Sequence, residues 1–373
     1  MKKILGVVAE YNPMHYGHLH QLNLAASQTG CQYTVIAMSG NFVQRGEPAI
    51  VDKWIRAKMA VAAGADLVVE IPAWFVLQSA EGFARAGVCL LHGCGVTHMS
   101  FGSESGNIEE LSQLARWLQK PGTQGNIRSQ LQTGITYAAA VQQAAEASPA
   151  ASHLGNLLRG ANNILAIEYL RALEKTPIIA HTVKRNGDAN ASQIRLLLAQ
   201  GRDSEAFSHI PSPAREIFIN GLNATGRVFP ADLTQAIFYA LISLGSKGIS
   251  SLPACSEGLE NRLCQALSQA RDLQGLLEAV KTKRYPFTRI QRLLMQALLG
   301  FDTHRFPGQV PYLRVLAASP GGKELLPRLA QSTLPLLYSA RDIRKLAPGA
   351  KALLDLEIYA ERVYQMAQNL KGV

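Results

Sequence analysis

Short apolar runs alternate with helical stretches through the first 185 residues. Apolar side chains are continuous or nearly so at residues 4–9, 33–38, 65–72, 97–101 and 178–183. Such runs are typical of strands buried on both faces of a parallel sheet, because helices cover both sides. The pattern predicts an α/β fold with right-handed crossovers, and it places a ligand site beyond the carboxyl ends of the strands.

After about residue 200 the strand pattern ends and helical periodicity takes over. One predicted helix runs from Thr288, as its cap, to Gly300, with apolar side chains at i, i+3, i+4, i+7 and i+8 from Ile290. Its opposite face carries Arg289, Arg292 and Gln296. We therefore predict an α/β domain at residues 1–200 and a mainly α-helical region at residues 201–373.

The charge balance adds a candidate partner. The chain has 37 Lys and Arg against 27 Asp and Glu, a net charge of +10. Residues 1–200 carry 16 basic and 13 acidic side chains (+3), and residues 201–373 carry 21 and 14 (+7). Both a polyanionic partner and a solvated basic surface are compatible with this surplus. If a polyanion binds, the second half supplies more of the contact.

Cysteine usage and the N-terminus indicate the compartment. The five cysteines are scattered and include no CxxC pair, which favours a reducing cytoplasm. Glu10 cuts the apolar run that follows Lys2 and Lys3, so this run is too short for a signal peptide or a membrane span. We expect a soluble, cytoplasmic protein without a membrane partner, and the sequence predicts no protein partner.

The strongest local signal follows the first predicted strand, where the segment from Glu10 to Leu19 contains the pattern HxGH. Two histidines three residues apart, His15 and His18, lie on one face of a first helical turn. Gly17 allows a close backbone approach, and the N–H groups of a helix N-terminus favour an anion. This arrangement suits the triphosphate of ATP. Part of a zinc site and a purely structural turn are the alternatives.

A second signal follows the fifth predicted strand. Lys184 and Arg185 are followed by Asn190, Ala191, Ser192 and Arg195 at the start of a helix. A helix start with a hydroxyl group and an arginine is a possible phosphate-binding arrangement, although an ordinary capped helix has the same pattern. Together the two signals resemble the signature sites of the HIGH-type nucleotidyltransferase superfamily. In this chain the usual Ser-Ser/Thr pair of the second site is reduced to Ala191-Ser192.

Further segments make the resemblance specific. The stretch 38–49, the segment from Lys53 to Arg56, the segment Phe101-Gly102-Ser103-Glu104, the stretch 162–165, Lys184-Arg185 and the stretch 281–285 recur together in one family. With these segments the sequence resembles bacterial tRNA(Met) cytidine acetate ligases over nearly its whole length. The resemblance implies a nucleotidyltransferase (HUP-like) parallel-sheet domain followed by a mainly helical region.

The resemblance also implies the activity. Acetate is activated by ATP to acetyl-adenylate, and the acetyl group passes to N4 of the wobble cytidine (C34) of elongator tRNA(Met). Mg²⁺ is expected because ATP chemistry of this kind normally uses it to neutralise phosphate oxygens, and no metal-ligating residue is assigned. His15 and His18 are the implied catalytic residues. The implied ATP contacts are Gly6, Val7, Val8, Ala9, Glu10, Tyr11, Asn12, Pro13, Met14, His15, Tyr16, Gly17, His18, Leu19, Gly102, Asn162 and Arg185.

From the residues alone, several of these positions keep two interpretations. Gly102 leaves room for a base or ribose, or is an ordinary turn glycine. Asn162 reads an adenine edge, or caps the helix that follows it. Arg185 clamps a phosphate, or is a solvated arginine. Arg45 and the pair Lys53 and Arg56 could reach phosphate or RNA backbone, or belong to solvated surfaces.

A basic run marks the second half. Five cations occur there without an intervening acid, interleaved with Tyr285 and Phe287, and such residues neutralise phosphates and stack on unpaired bases. The predicted tRNA contacts are Lys281, Lys283, Arg284, Arg289 and Arg292. A solvated edge is the alternative here. For the whole chain, the rival functions are a small-molecule adenylyltransferase of coenzyme biosynthesis and a non-catalytic RNA-binding protein with a vestigial nucleotide pocket.

Overall fold

The computed structural model describes residues 2–133, 135, 137–185 and 191–369. Its strands are β1 Ile4–Ala9, β2 Tyr33–Ser39, β3 Phe42–Val43, β4 Glu47–Pro48, β5 Leu67–Ile71, β6 His98–Ser103, β7 Ile179–Lys184, β8 Leu313–Ala318 and β9 Leu336–Leu337. Seven of them form one sheet in the order β7-β6-β1-β2-β5-β8-β9, and β3 and β4 form a separate antiparallel hairpin.

Helices surround this sheet. In the first half they are α1 Tyr16–Thr29, α2 Lys53–Ala62, α3 Ala73–Val76, α4 Ala80–Gly93, α5 Ile108–Leu118, α6 Pro121–Gln132, α7 Tyr137–Glu146, α8 Ala161–Leu173 and α9 Ala191–Ala199. In the second half they are α10 Asp203–Ser208, α11 Ser212–Thr225, α12 Thr234–Ser250, α13 Leu259–Leu267, α14 Leu273–Val280, α15 Phe287–Leu298, α16 Pro320–Lys323, α17 Leu326–Leu329 and α18 Pro348–Asn369.

The predicted parallel sheet is confirmed. β1 lies between β2 and β6 and pairs in parallel with both, so that Val7 is opposite Ile36 on one side and Ser100 on the other. Two apolar layers cover the sheet, and alternate residues of β1 enter different layers: Ile4 faces one, Leu5 and Val7 the other. The carboxyl ends of the parallel strands therefore meet at one edge, as the alternation of strands and helices predicts.

The prediction that strands end near residue 200 is wrong. β8 pairs antiparallel with β5, and β9 pairs with β8, so the second half supplies the last two strands of the sheet. The rest of this half is mainly helical, as predicted. The division into residues 1–200 and 201–373 stays a prediction.

The predicted helix after residue 288 exists as α15, with two differences. It begins at Phe287 after Pro286 rather than after a Thr288 cap. Gln296 is buried instead of solvated: its amide donates to the carbonyl of Leu77 and accepts from the N–H of Ala254. Helical periodicity alone places Gln296 on the exposed face, whereas backbone partners distant in sequence hold it in the core.

One stretch, Ser212–Ser250, is long and apolar enough by length and composition alone to cross a membrane. The structure divides it into α11 and α12, with Gly226 in a left-handed conformation between them.

Candidate active site

The HxGH segment forms the turn from β1 into α1. Tyr11 adopts a left-handed φ of 48°, and His15 is the N-cap of α1. The His15 Nδ1 accepts from the N–H of Gly17 at 3.1 Å, and the His18 Nδ1 accepts from the N–H of His15 at 3.3 Å. The two imidazole rings stack with centroids 3.8 Å apart. The predicted shared face of the two histidines is confirmed.

Both histidines are uncharged at neutral pH. Burial lowers the pKa of His15 to about 4, with further lowering by the neighbouring Arg185 and His209 side chains. Burial, the His15 ring and Arg185 place the pKa of His18 well below its ordinary value. Because each Nδ1 already accepts a backbone N–H, the single ring proton lies on Nε2. Each ring therefore offers one N–H donor and no free acceptor.

Arg185 joins this pair from the end of β7. Its backbone N–H donates to the carbonyl of Ser103 at 2.9 Å, which fixes it beside the end of β6. Its side chain lies over Gly102, where an added Cβ would be 3.1 Å from the Arg185 Cγ. The charge of Arg185 also contributes to the lowered pKa values of His15 and His18. The structure thus brings four of the predicted site residues together.

Asn162 lies at the start of α8, where Glu104 provides the cap. The Glu104 carboxylate accepts from the backbone N–H groups of Asn162 and Asn163, at 3.0 and 2.6 Å, and from the Asn162 side chain at 2.7 Å. The interpretation of Asn162 itself as a helix cap is therefore wrong. Sequence reasoning missed Glu104, although it belongs to the segment Phe101-Gly102-Ser103-Glu104 that carries the resemblance.

Arg195 connects α9 to the HxGH turn. It donates to the carbonyl of Asn12 at 2.7 Å and to the Ser192 hydroxyl at 3.2 Å, and it lies 3.8 Å from the Glu47 carboxylate. Asn190 of the predicted phosphate loop lies outside the described residues. The two signature segments are therefore neighbours in space, while phosphate binding by Ser192 and Arg195 stays a prediction.

Comparison with known proteins decides the family. The sequence model of the family described as HIGH Nucleotidyl Transferase matches residues 1–372. A protein of Acetivibrio thermocellus named tRNA(Met) cytidine acetate ligase is 36% identical over 395 residues, which cover 98% of this chain and 95% of the relative. A protein of the same name from Syntrophotalea carbinolica is also 36% identical, over 98% of this chain and 94% of the relative. This chain belongs to the tRNA(Met) cytidine acetate ligase family.

Solved structures agree with this assignment. The crystal structure of Thermotoga maritima TmcAL bound with α-thio ATP has 32% sequence identity and a TM-score of 0.91, covering 98% of this chain and 95% of that one. The apo form of the same protein gives a TM-score of 0.93 at 31% identity, with the same coverage. The fold predicted from the resemblance is confirmed, and the family assignment makes the chain an enzyme.

Arg56 has a structural position in this member of the cytidine acetate ligase family. Its fully buried guanidinium donates to the carbonyls of Glu10 at 2.6 Å, Ser39 at 3.1 Å and Val51 at 3.1 Å, and also to that of Gly40. It therefore ties the carboxyl ends of β1 and β2 together. The interpretation that Arg56 reaches phosphate or RNA backbone is wrong.

Lys53 is also buried, which corrects the same interpretation. Its ammonium lies 2.8 Å from the Glu70 carboxylate and 3.2 Å from that of Glu361 in α18. The Arg314 guanidinium of β8 lies 2.9 Å from the other oxygen of the Glu70 carboxylate. These partners are up to about 300 residues away in sequence, so local periodicity gives no sign of them. Of the three cations named with this helix, Arg45 alone is exposed, at the tip of the β3–β4 hairpin.

The basic run of the second half separates into two environments. Lys281, Lys283 and Arg284 are exposed. Arg292 is partly buried, its guanidinium 3.4 Å from the carbonyl of Gln44, and burial lowers its pKa to about 10. The predicted tRNA contacts thus do not form one continuous exposed strip.

An acid from an earlier segment pairs with this run, and one of the aromatics of the run belongs to the core. Glu257 pairs with Arg284 at 3.1 Å and with Arg289 at 3.5 Å. Tyr285 is buried and donates its hydroxyl proton to the Glu257 carbonyl, so it is not available to stack on a base. The Lys281 ammonium lies 4.5 Å from the centre of the Phe287 ring. The described residues include no group of three or more acidic, His or Cys side chains that could hold a metal.

Proposed function

We propose that this chain activates acetate with ATP to acetyl-adenylate and transfers the acetyl group to N4 of the wobble cytidine of elongator tRNA(Met), in the cytoplasm. The relatives named tRNA(Met) cytidine acetate ligase and the ATP-analogue complex of the solved relative support this proposal. The ATP site is formed by residues 6–19 together with Gly102, Asn162 and Arg185.

The observation that carries the proposal is the stacked histidine pair at the start of α1, with Arg185 beside it. Two neutral imidazoles that can donate only through Nε2 are suited to a phosphate oxygen, and the N-terminus of α1 favours the same anion. Arg185 adds a permanent positive charge. Such fixed donors stabilise the charge that develops on a phosphorus centre in the transition state.

In the first step an acetate oxygen attacks the α-phosphorus and pyrophosphate leaves. In the second step the cytidine N4 attacks the acetyl carbonyl carbon, and AMP leaves with the electrons of the broken C–O bond. The substrate is MgATP, in which Mg²⁺ would neutralise charge on the phosphate oxygens.

One incubation separates this function from its rivals. The protein is mixed with labelled acetate, ATP and elongator tRNA(Met), and acetyl-tRNA and pyrophosphate are measured. ATP- and acetate-dependent label in the tRNA, at N4 of the wobble cytidine after nuclease digestion, is the expected result. Pyrophosphate release that needs a small phosphorylated acceptor instead of acetate would indicate an adenylyltransferase. Binding of tRNA without turnover would indicate an RNA-binding protein.

A further inference from the structure

Glu10 occupies a fixed position between β1 and the HxGH turn. Its carbonyl accepts a hydrogen bond from the buried Arg56 guanidinium at 2.6 Å, so its backbone cannot shift freely. Its carboxylate leaves the end of β1 toward the β3–β4 hairpin, where one oxygen, Oε1, accepts from the N–H of Gln44 at 2.6 Å. Strand end, helix α2 and hairpin thus all position this one side chain.

The second carboxylate oxygen is available. Oε2 of Glu10 has no hydrogen-bond partner in the part of the chain that the structure describes, and the side chain is partly exposed. The histidines of the same turn differ in this respect, because each Nδ1 is occupied by a backbone N–H and each Nε2 carries the proton. Of Glu10, His15 and His18, Glu10 alone can accept a proton without breaking a hydrogen bond.

The surroundings of Glu10 adjust its basicity. Burial raises the pKa of its carboxyl group above the ordinary value, while the hydrogen bond from the Gln44 N–H and then the charges of Arg45, Arg195 and Arg56 oppose this rise. Burial raises the pKa of the Tyr169 phenol in α8, and the Glu10 charge adds to this rise. The carboxylate therefore lies among cations, of which Arg45 is exposed to solvent, and it is more basic than a solvated glutamate.

The hairpin that holds Glu10 also contacts the basic second half. A Cβ on Gly46, which has a φ of 81°, would overlap the backbone of Arg292 in α15. The Arg292 side chain lies against the Gln44 carbonyl, and the Gln291 amide donates to Glu47 at 3.0 Å. The side of the site at which Glu10 lies is therefore continuous with the region predicted to bind tRNA.

We propose that Glu10 accepts the proton of the cytidine N4 amine during acetyl transfer. This rests on the proposed function. A carboxylate is a natural acceptor for the N4–H of cytosine. As the N4 nitrogen bonds to the acetyl carbon, the carbon–oxygen bond of the mixed anhydride breaks, AMP leaves with its electron pair, and the N4 proton moves to Oε2 of Glu10. Glu10 is thus a catalytic residue of the second step.

The test separates the two steps of the reaction. Wild type, Glu10→Gln and Glu10→Asp are each given ATP and labelled acetate and then mixed with tRNA, and single-turnover acetyl transfer is followed from pH 5 to 8.5. Acetate-dependent pyrophosphate release without tRNA is measured for the same proteins. We expect the rate of acetyl transfer by Glu10→Gln to fall at least ~10²-fold. The rate of pyrophosphate release should fall by a factor at least ~10 times smaller.

The pH profile and the aspartate variant distinguish a proton acceptor from a structural role. Glu10→Gln should lose the decline in transfer on the acid side, because no carboxylate remains to be protonated. Glu10→Asp should retain that decline with a smaller loss of rate. Glu47→Gln, on the same hairpin, is the matched control, because one Glu47 oxygen accepts from the Gln291 amide of α15 and the other lies 3.8 Å from Arg195 of α9. Its transfer rate should stay within a few-fold of wild type.

Three results would overturn the proposal. Transfer by Glu10→Gln at the wild-type rate excludes a proton acceptor at this position and leaves the proposed function intact. An equal loss of both steps indicates that Glu10 only supports the site. A wild-type protein that releases pyrophosphate with acetate but never labels tRNA overturns the proposed function and, with it, this assignment.

Discussion

The Arg185 side chain lies directly over Gly102, and a Cβ at residue 102 would be 3.1 Å from the Arg185 Cγ and 3.3 Å from its Cδ. The two residues are on neighbouring strand ends, since Gly102 pairs with Val183 in the β6–β7 ladder. The absence of a side chain at residue 102 therefore leaves room for the Arg185 side chain. Gly102 and Arg185, predicted as separate ATP contacts, act as one structural unit beside His15 and His18.

Substitution of Gly102 should displace Arg185. Gly102→Ala adds a methyl group at the arginine stem, so we expect the KM for ATP in acetate-dependent pyrophosphate release to rise several-fold, with little change in the unfolding midpoint. Gly125→Ala, where an added Cβ meets nothing within 4 Å, is the control. Arg185→Ala should raise the same KM, and the double variant should be no worse than Arg185→Ala alone. Additive effects would show that the two residues act independently.

Loss of His18 should impair activation of acetate. His18→Ala removes an Nε2–H donor beside Arg185, so pyrophosphate release should fall at least ~10²-fold, as for other preorganised donors to a developing oxyanion. His20→Ala is the control, because His20 lies on the same helix with an exposed side chain. A folded His18→Ala protein that releases pyrophosphate at nearly the wild-type rate would show that His18 is not a catalytic residue.

The buried His15 should make the fold sensitive to acid. Its pKa is about 4 in the folded chain, so between pH 6.5 and pH 4 the unfolded chain binds a proton that the folded chain does not. Stability must then fall as the pH falls through this window. Relative to His15→Gln, wild type should lose about 2 kcal/mol of unfolding free energy between pH 7 and pH 5, measured by urea titration. Parallel pH profiles of the two proteins would contradict this.

The parts of the fold that sequence could predict are those set by local burial. β1 is a continuous apolar run because both faces of the sheet are covered, and the observed strand matches the predicted residues 4–9. β8 was missed because Arg314 interrupts its apolar run. Arg314 pairs with Glu70, a carboxylate 244 residues earlier in the chain. The strand can therefore be recognised only when the ion-pair partner of Arg314 is known.

The residues of the site also divide into those that local sequence predicts and those that depend on distant contacts. The HxGH turn is a local signal, and its geometry follows from helix capping by His15. The spacing of Lys53 and Arg56 on one helix face is equally local, but it does not predict their environment. A solvated helix face and a buried ionic face have the same periodicity. Only the tertiary structure shows that the Arg56 guanidinium donates hydrogen bonds to the carbonyls at the ends of β1 and β2.

Removal of Arg56 should destabilise the protein as a whole. Arg56→Met fills much of the same volume but leaves buried carbonyls of Glu10 and Ser39 without donors, at ~1–3 kcal/mol for each unsatisfied group. We expect a loss of at least about 3 kcal/mol in the free energy of unfolding. Lys58→Met, an exposed position on the same helix, should change it by less than ~0.5 kcal/mol. Equal stability of the two variants would refute the bracing role of Arg56.

The exposed part of the basic run should determine the salt dependence of tRNA binding. Lys281, Lys283 and Arg284 are exposed, whereas Arg292 is held against Gln44. Replacing the three exposed cations by Gln removes up to three phosphate contacts, and each contact contributes ~0.7–0.9 to the slope of log affinity against log salt concentration. The slope should therefore become shallower by roughly two units, while pyrophosphate release without tRNA should stay near the wild-type rate.

A second triple variant tests whether position or net charge causes this effect. Arg341, Arg344 and Lys351 are also exposed, and their replacement by Gln lowers the net charge of the second half by the same amount. A general attraction between a basic protein and RNA would change both slopes equally. Direct phosphate contacts at Lys281, Lys283 and Arg284 would change only the first slope, because counterions are released where the phosphates are neutralised. Unchanged slopes in both variants would exclude both surfaces, and exposed Arg45 on the β3–β4 hairpin would be the next cation to replace.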